Sequence, residues 1–294
     1  MMAAMSFAFV DAPLDRAEHL RSNPSALAAL WPRARLLLLD ADGQALADAG
    51  DGLLEVEGAQ VAASLPGGAV FLGLHGERGW FALPAGLATV QAPARINLRA
   101  AAALWPVREA TAFAQARAVL HWRSRHRFCG ACGGPLEFRR AGWLGFCAGC
   151  AIEHYPRTDP AVIVAVSDGE RLLLGREAAW PPRRWSVLAG FVEPGETLEQ
   201  TVMREVFEES AVQVRQCRYL GSQPWPFPSS LMLGFEADAE ADEPVPNTDE
   251  LEDARWFGRE EIGAALRGET AEEGILLSPT ASISRWLIER WYGA

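Results

Sequence analysis

"GFVEPGETLEQTVMREVFEESAV", residues 190–212, holds a cap, an amphipathic helix and a cluster of acids in one short run. Thr197, with Gln200 three positions later, has the form of a capping box, so a helix is expected to start at Leu198. At about 100° per residue, Glu205, Glu208 and Glu209 fall within one arc. Val202, Met203, Val206 and Phe207 take the roughly opposite arc and are expected to face a core. A solvated acidic face is the plain explanation of the glutamates. However, nothing basic lies four residues beyond any of them to relieve their repulsion. Carboxylates at that spacing favour a hard divalent cation with oxygen ligands, such as Mg²⁺ or Mn²⁺.

The flanks extend the pattern. Upstream, "AVIVAVSDGERLLLG" (161–175) reads as a hairpin and "RWSVLAGFV" (184–192) as a buried strand. Downstream come a Pro-broken loop at 223–228 and a strand "SLMLGFEA". An acidic connector with no basic residue from Glu236 to Asp253 leads to a strand "ARWF" and a closing helix "ASISRWLIERWYG". In the first part, "RLLLLDADGQAL" and "AVFLGLHGERGWFAL" carry hairpin signals. "EATAFAQARAVLHWRSRH", Glu109 to His126, suits a helix, having neither Pro nor Gly. Strands and helices mix without regular βαβ alternation, so the expected class is α+β rather than a doubly wound sheet.

Between these parts, Cys129-x-x-Cys132 and Cys147-x-x-Cys150 match the spacing of a tetrahedral four-cysteine zinc site. Gly130, Gly133, Gly134 and Gly149 ease the tight turns of thiolate ligation. A redox or disulfide pair is the alternative, disfavoured in a cytoplasmic chain. Four cysteines leave no open position for water, so the zinc is expected to be structural. His126 and His154 flank the knuckles as bystanders, and Cys217 is expected to be a packing residue.

The formal charge of −11 argues against broad nucleic-acid binding, with local exceptions at "HWRSRHRF" (121–128) and "FRR" (138–140). The chain contains no lysine, which excludes lysine nucleophiles and Schiff bases. No apolar run approaches the roughly 18 residues of a membrane span. The start reads as lacking the basic region of a signal peptide, and "RWYGA" matches no lipidation signal. A cytoplasmic enzyme with no membrane partner is expected.

The 190–212 string resembles the Nudix box: Gly, five residues, Glu, seven residues, then Arg-Glu-apolar-x-Glu-Glu-x-Gly-apolar. Gly190, Glu196, Arg204, Glu205, Glu208, Glu209 and Val212 fall on its places, and Ala211 stands where the family has glycine. The resemblance implies hydrolysis of a nucleoside diphosphate linked to another moiety. In that chemistry metals neutralise the pyrophosphate and activate the attacking water. It makes Glu205 and Glu209 direct metal ligands, with Glu209 or Glu208 assisting the water. Arg204 is then expected to pair with a box glutamate, and Glu196 to shape the loop or reach metal through water.

"SQPWPFPSS", Ser222 to Ser230, is in itself a proline-stiffened loop presenting Trp225 and Phe227, either a base-stacking surface or a hydrophobic turn. Beside the box, and with a zinc ribbon upstream, it is similar to the array of the NADH pyrophosphatase family. That resemblance covers nearly the whole chain. It implies substrate contacts from Gln223, Pro224, Trp225, Pro226, Phe227, Pro228, Ser229 and Ser230, and from Tyr155, Arg99 and Ser284. It places the carbonyl of Ala189 and the carboxylate of Glu250 on the catalytic metal. Gly142 stands where at least some relatives use a glutamate against the substrate.

The implied organisation is an N-terminal mixed α/β domain rich in strands (1–126), a small Cys₄ zinc ribbon (127–156) and a Nudix α/β/α sandwich with a mixed sheet (157–294). The implied reaction splits NADH or NAD⁺ into AMP and nicotinamide mononucleotide, with Mg²⁺ or Mn²⁺ catalytic and Zn²⁺ structural, in a homodimer. Removal of NAD caps from RNA 5′ ends is the neighbouring reading. A non-catalytic binding module is the reading from another class, and the intact acidic set argues against it.

Overall fold

The computed structural model of the chain describes residues 7–269 and 274–293. Two units are distinguished: one of Ala8–Thr158 and Pro226–Ser229, the other of Met1–Phe7, Asp159–Trp225 and Ser230–Ala294.

In the first unit, helix α1 (Pro24–Leu30) starts where the Asn23 side chain accepts a hydrogen bond from the Ala26 amide, 3.1 Å away. Strand β1 (Arg35–Leu39) turns back into β2 (Ala45–Ala47) through Asp40–Gln44. The Asp40 carboxylate accepts from the amides of Asp42 (3.0 Å) and Gln44 (2.9 Å), which fixes that turn. After the short helix α2 (Gly58–Val61) come β3 (Val70–His75), β4 (Arg78–Pro84) and β5 (Ala94–Ile96). The sheet order is β3-β4-β1-β2-β5, with β1 and β4 parallel. Its core gathers Trp31, Leu36, Leu38, Phe71 and Phe81. Helix α3 (Leu98–Leu104) and the expected long helix α4 (Val107–Arg125) follow, and α4 packs on β3 and β4.

The cysteine-bearing segment, also in this unit, is a three-stranded sheet of β6 (Leu136–Arg139), β7 (Leu144–Cys147) and β8 (Glu153–His154). Three consecutive residues before β7, Arg140, Ala141 and Gly142, have positive φ (49°, 51° and 93°). A Cβ at Gly142 would lie 2.8 Å from Val70 Cγ2 and 2.9 Å from an Arg123 nitrogen. Both the backbone conformation and the space therefore select glycine over glutamate there.

The second unit is a mixed sheet between helices. Its strands are β9 (Asp159–Ser167), β10 (Arg171–Arg176), β12 (Leu188–Phe191), β13 (Val214–Trp225), β14 (Ser230–Ala239) and β15 (Asp253–Gly258), in the order β13-β14-β9-β10-β15 with β12 also on β9. The pairing of β14 with β9 is parallel and the others are antiparallel. A two-stranded parallel pair, β11 (Arg184–Trp185) with β16 (Leu276–Leu277), stands apart. β9 is buried continuously from Ala161, as expected of a strand covered on both faces. Helix α5 (Leu198–Ser210) packs its Val202 and Val206 against Val162, Val164 and Phe235. Residue 234, of opposite parity, faces Ile283 of helix α7 (Ile283–Tyr292). Helix α6 (Arg259–Leu266) follows β15. Cys217 is half-buried against this core, a packing position.

Four expectations need correction. "RWSVLAGFV" is not one strand: β11 pairs with β16, Ser186 bridges to Gly175, and only β12 joins β9. The chain changes partners within nine residues, which a hydrophobic run cannot reveal. Residues 223–225 are not loop: Gln223, Pro224 and Trp225 stand opposite Met232, Leu231 and Ser230, and the turn is confined to 226–229. β13 is an edge strand, where a proline need not break a ladder bond. Likewise Glu236–Ala239, assigned to the acidic connector, are the end of β14. Finally, Met203 and Phe207 are exposed at 41% and 52%. The buried stripe of α5 runs through Val202, Val206 and Glu209, so one glutamate shares the core-facing side.

Helix α5 ends with Ala211 in the left-handed region (φ 60°, ψ 7°), a conformation that costs a non-glycine residue about 1–2 kcal/mol. Ala211→Gly removes that cost but frees the unfolded chain, leaving a net gain of about 0.5–1 kcal/mol. The thermal midpoint should rise by roughly 1–4 °C with activity unchanged. An unchanged or lowered midpoint contradicts the account of this cap.

Candidate active site and metal centres

The capping box is present in full: the Thr197 side chain accepts from the Gln200 amide and the Gln200 side chain from the Thr197 amide. It fixes the start of α5 and hence the phase of its acids. Arg204 is the hub of the loop before the helix. Its guanidinium donates to Glu196 at 2.6 and 2.9 Å, to Glu208 at 2.9 Å and to the Phe191 carbonyl at 2.9 Å, and it pairs with Glu205 at 2.9 Å. Relief for Glu208 therefore comes from four residues before it in the helix rather than four residues beyond. Arg204 and the hydroxyl of Thr201 hold the Glu196 carboxyl down to about 2, so Glu196 acts as a fixed anion that shapes the loop.

Glu205 packs directly against Gly190: a Cβ there would fall 1.8 Å from the Glu205 carboxyl carbon. Burial raises the Glu205 carboxyl above its ordinary range, against the pull of Arg204. Glu209 is 8% exposed, and its Oε2 has no hydrogen-bond partner. Its carboxyl is pushed up to about 8, first by burial and then by the charges of Glu205, Glu250 and Glu177; the amide of Ala189 opposes this. A buried carboxylate oxygen with no donor, facing other acids, is poorly satisfied by protein alone and fits a divalent cation. Glu250, on the exposed segment before β15, reaches this cluster electrostatically, as does Glu177 just after β10. Glu177 has no place in the spacing of the box, and nothing in the sequence marked it.

The remaining candidates divide between the units. In the unit of α5, Gln223 is fully buried, and its side chain donates to the Ala281 carbonyl and accepts from the Ile283 amide, both at 2.8 Å. It thus ties the edge strand to the start of α7. Ser284 is buried, with its Oγ 2.8 Å from that of Ser186. Trp225 and Ser230 face each other at the end of the β13–β14 ladder. In the other unit, the Arg99 guanidinium lies 4.0 Å from the centre of the Phe227 ring, within the turn segment Pro226, Phe227, Pro228 and Ser229. Tyr155 is exposed, and its hydroxyl hydrogen-bonds to Glu153.

The four cysteine sulfurs all lie within 4.8 Å of one another, with Cys129–Cys150 at 3.6 Å and Cys132–Cys147 at 3.4 Å. Tetrahedral thiolates at about 2.3 Å from zinc would stand about 3.8 Å apart, so the donor set fits that ion. The amides of Ala131 and Cys132 draw the Cys129 thiol down to about 7, favouring the ligating thiolate. His126 is outside the set, its ring 3.0 Å from the Trp122 carbonyl. His154 is also outside it, but its Nε2 sits 3.3 Å from the Cys129 sulfur, a supporting contact rather than a bystander's.

Comparison with known proteins gives three adjoining matches. A NADH pyrophosphatase-like rudimentary NUDIX domain matches residues 27–122, a NADH pyrophosphatase zinc ribbon domain 124–155, and a NUDIX domain 157–277. The chain is 41% identical over 288 residues to the NAD-capped RNA hydrolase NudC of Mycobacterium bovis, covering 94% of this chain and 92% of that protein. It is 46% identical over 168 residues to the NudC of Stutzerimonas stutzeri, covering 57% of this chain and 56% of that one. Similarity extends to the NAD-capped RNA hydrolase NUDT12 of Macaca fascicularis, 43% identical over 194 residues and 63% of this chain, but 42% of that protein.

Proposed function

The chain belongs to the NADH pyrophosphatase family of Nudix hydrolases with a zinc ribbon, and we propose on that premise that it cleaves the pyrophosphate bond of NAD(H) into AMP and nicotinamide mononucleotide. The observation that carries the chemistry is the buried, donor-less carboxylate oxygen of Glu209 amid Glu205 and Glu250. The relatives that share nearly the full length are NAD-capped RNA hydrolases, which supports the substrate class.

Glu205, Glu209, Glu250 and the carbonyl of Ala189 are the groups that would hold the catalytic cation, Mg²⁺ or Mn²⁺. When bound, such a cation neutralises the diphosphate and acidifies the attacking water. Glu209 or Glu208 would take the water's proton, and Arg204 keeps Glu205 and Glu208 in place. The proposed substrate contacts are Arg99, Tyr155, the segment Gln223–Ser230 and Ser284. The proposed organisation is 1–126, 127–156 and 157–294, with the zinc structural. Action in the cytoplasm is consistent with a site that needs reduced thiolates, and a homodimeric state is part of the same proposal. Among the described residues no helix is long and apolar enough to cross a membrane.

Hydrolysis rates for NADH, NAD⁺, ADP-ribose and NAD-capped RNA under matched Mg²⁺ or Mn²⁺ test the reading. The dinucleotide, free or as a cap, is expected to exceed ADP-ribose. Equal rates on every diphosphate would reject NAD(H) as the selected substrate. Within that panel, Trp225→Ala should lower kcat/KM for NADH roughly 5- to 150-fold, the value of an aromatic stack of about 1–3 kcal/mol. A diphosphate without the stacked ring should lose much less. Equal losses on all substrates would make Trp225 a support of the β13–β14 end and not a selector.

Removal of NAD caps from RNA is a second reading of the same cleavage. The basic run "HWRSRHRF" favours it.

A further inference from the structure

The basic run left aside by the NADH reaction lies on the last turns of α4 and just past its end. Residues 117–127, "RAVLHWRSRHR", hold four arginines and two histidines and no acid, in a chain whose net charge is −11. Arg123 is committed inward: it donates to the Gly68 carbonyl at 2.9 Å and lies 4.6 Å from the Phe138 ring. Arg117, His121 and Arg125 recur every four residues and so share one face of the helix. Their charges reach one another, since Arg125 and Arg117 both lower the His121 pKa, after burial.

At the Arg117 end this face opens on a pocket of about 570 Å³, lined by Gln44, Asn97, Arg99, Arg117 and Phe227, with Asp42 as its acid. Two guanidinium groups converge there, Arg99 at 4.0 Å and Arg117 at 4.9 Å from the Phe227 ring centre. Arg117 also donates to the Pro226 carbonyl. The exposed Arg99 and the half-buried Arg117 bring two guanidinium groups to one concavity, and guanidinium forks suit phosphate. The volume admits a nucleotide. From Arg117 to Arg125 the helix rises about 12 Å. A stacked strand carries a phosphate about every 3.4 Å, so a polynucleotide engages the whole face where a free nucleotide reaches only the pocket.

We propose that the pocket of Arg99, Arg117 and Phe227, continued by His121 and Arg125 along α4, is a track for the phosphodiester chain of single-stranded RNA. This rests on the cap-removal reading above and deepens it. It assigns recognition of the transcript beyond the cap to His121 and Arg125, which the proposed NADH contacts do not include.

The test uses the full-length protein, a labelled single-stranded RNA of about twenty nucleotides, the same RNA bearing an NAD cap, and NADH. Arg125→Gln should weaken RNA binding by anisotropy and kcat/KM on capped RNA by about 3- to 10-fold at low salt. It should also reduce the slope of log affinity against log salt by about 0.7. NADH turnover should stay within twofold. Uncapped RNA should inhibit cleavage of capped RNA at concentrations where the same amount of inorganic phosphate does not. The proposal is overturned if Arg125→Gln leaves RNA binding and its salt slope unchanged. It is equally overturned if capped RNA and NADH lose activity in equal measure, or if inorganic phosphate competes as well as RNA. RNA binding is read without turnover. A protein that binds RNA through Arg125 but hydrolyses neither substrate would keep the track and reject the proposed function.

Discussion

Glu209→Gln is expected to lower kcat by at least ~10²-fold while making the metal-free protein more stable. The loss follows from removing a carboxylate proposed both as a cation ligand and as an acceptor of the water's proton. The gain follows from burial. Glu209 sits on the core-facing stripe of α5 with its carboxyl pushed up to about 8 from an ordinary 4.5. A raised carboxyl pKa means that the folded state holds the proton more tightly than the unfolded chain. The stability it contributes is present below pH 4.5 and is lost as the pH rises through about 8. Wild type without divalent metal should therefore lose thermal stability across that window, and the glutamine variant should lose less. Added Mg²⁺ or Mn²⁺ should stabilise wild type at pH 8 and the variant little. Near wild-type turnover by the variant removes Glu209 from the mechanism. A metal-free midpoint below that of wild type at pH 8 contradicts the electrostatic account.

Cys129→Ser is expected to have the largest effect on stability. Binding of a structural zinc by four thiolates is worth about 10–16 kcal/mol in isolated zinc-finger peptides, and it is folding free energy. That is as large as the whole stability of an ordinary domain. Cys129 is buried, 3% exposed, and its sulfur is held by His154 and two amides. The serine variant should show a fall in bound zinc from one per chain and a collapse in soluble yield. Metal analysis after purification without chelator decides the matter. No zinc in wild type, or full zinc in the variant, contradicts the assignment.

Local rules were legible where one signal decided one element. Thr197 and Gln200 mark the start of α5, and the Asp-Gly turn between β1 and β2 is written in Asp40–Gln44. The two CxxC knuckles predict the sulfur cluster because their spacing is that of four thiolates on one metal. What stayed hidden depends on partners distant in sequence. Met203 and Phe207 are apolar and near the core-facing phase, yet the sheet meets α5 along the line of Val202, Val206 and Glu209. Gln223 looks like a loop residue offered to a ligand, and the fold buries it under the start of α7. Glu177 joins the acidic cluster only because β10 delivers it there. The reason for Gly142 is likewise three-dimensional, since Val70 and Arg123 occupy the space a side chain would need.

The measurement closest to the central claim is the identity of the bond broken in NADH. Incubation with Mg²⁺ or Mn²⁺, followed by chromatographic separation, should give AMP and reduced nicotinamide mononucleotide in equal amounts. Both should disappear with excess chelator and return when the cation is restored. Release of nicotinamide with ADP-ribose, or cleavage indifferent to divalent cation, would contradict a pyrophosphatase built on Glu205 and Glu209.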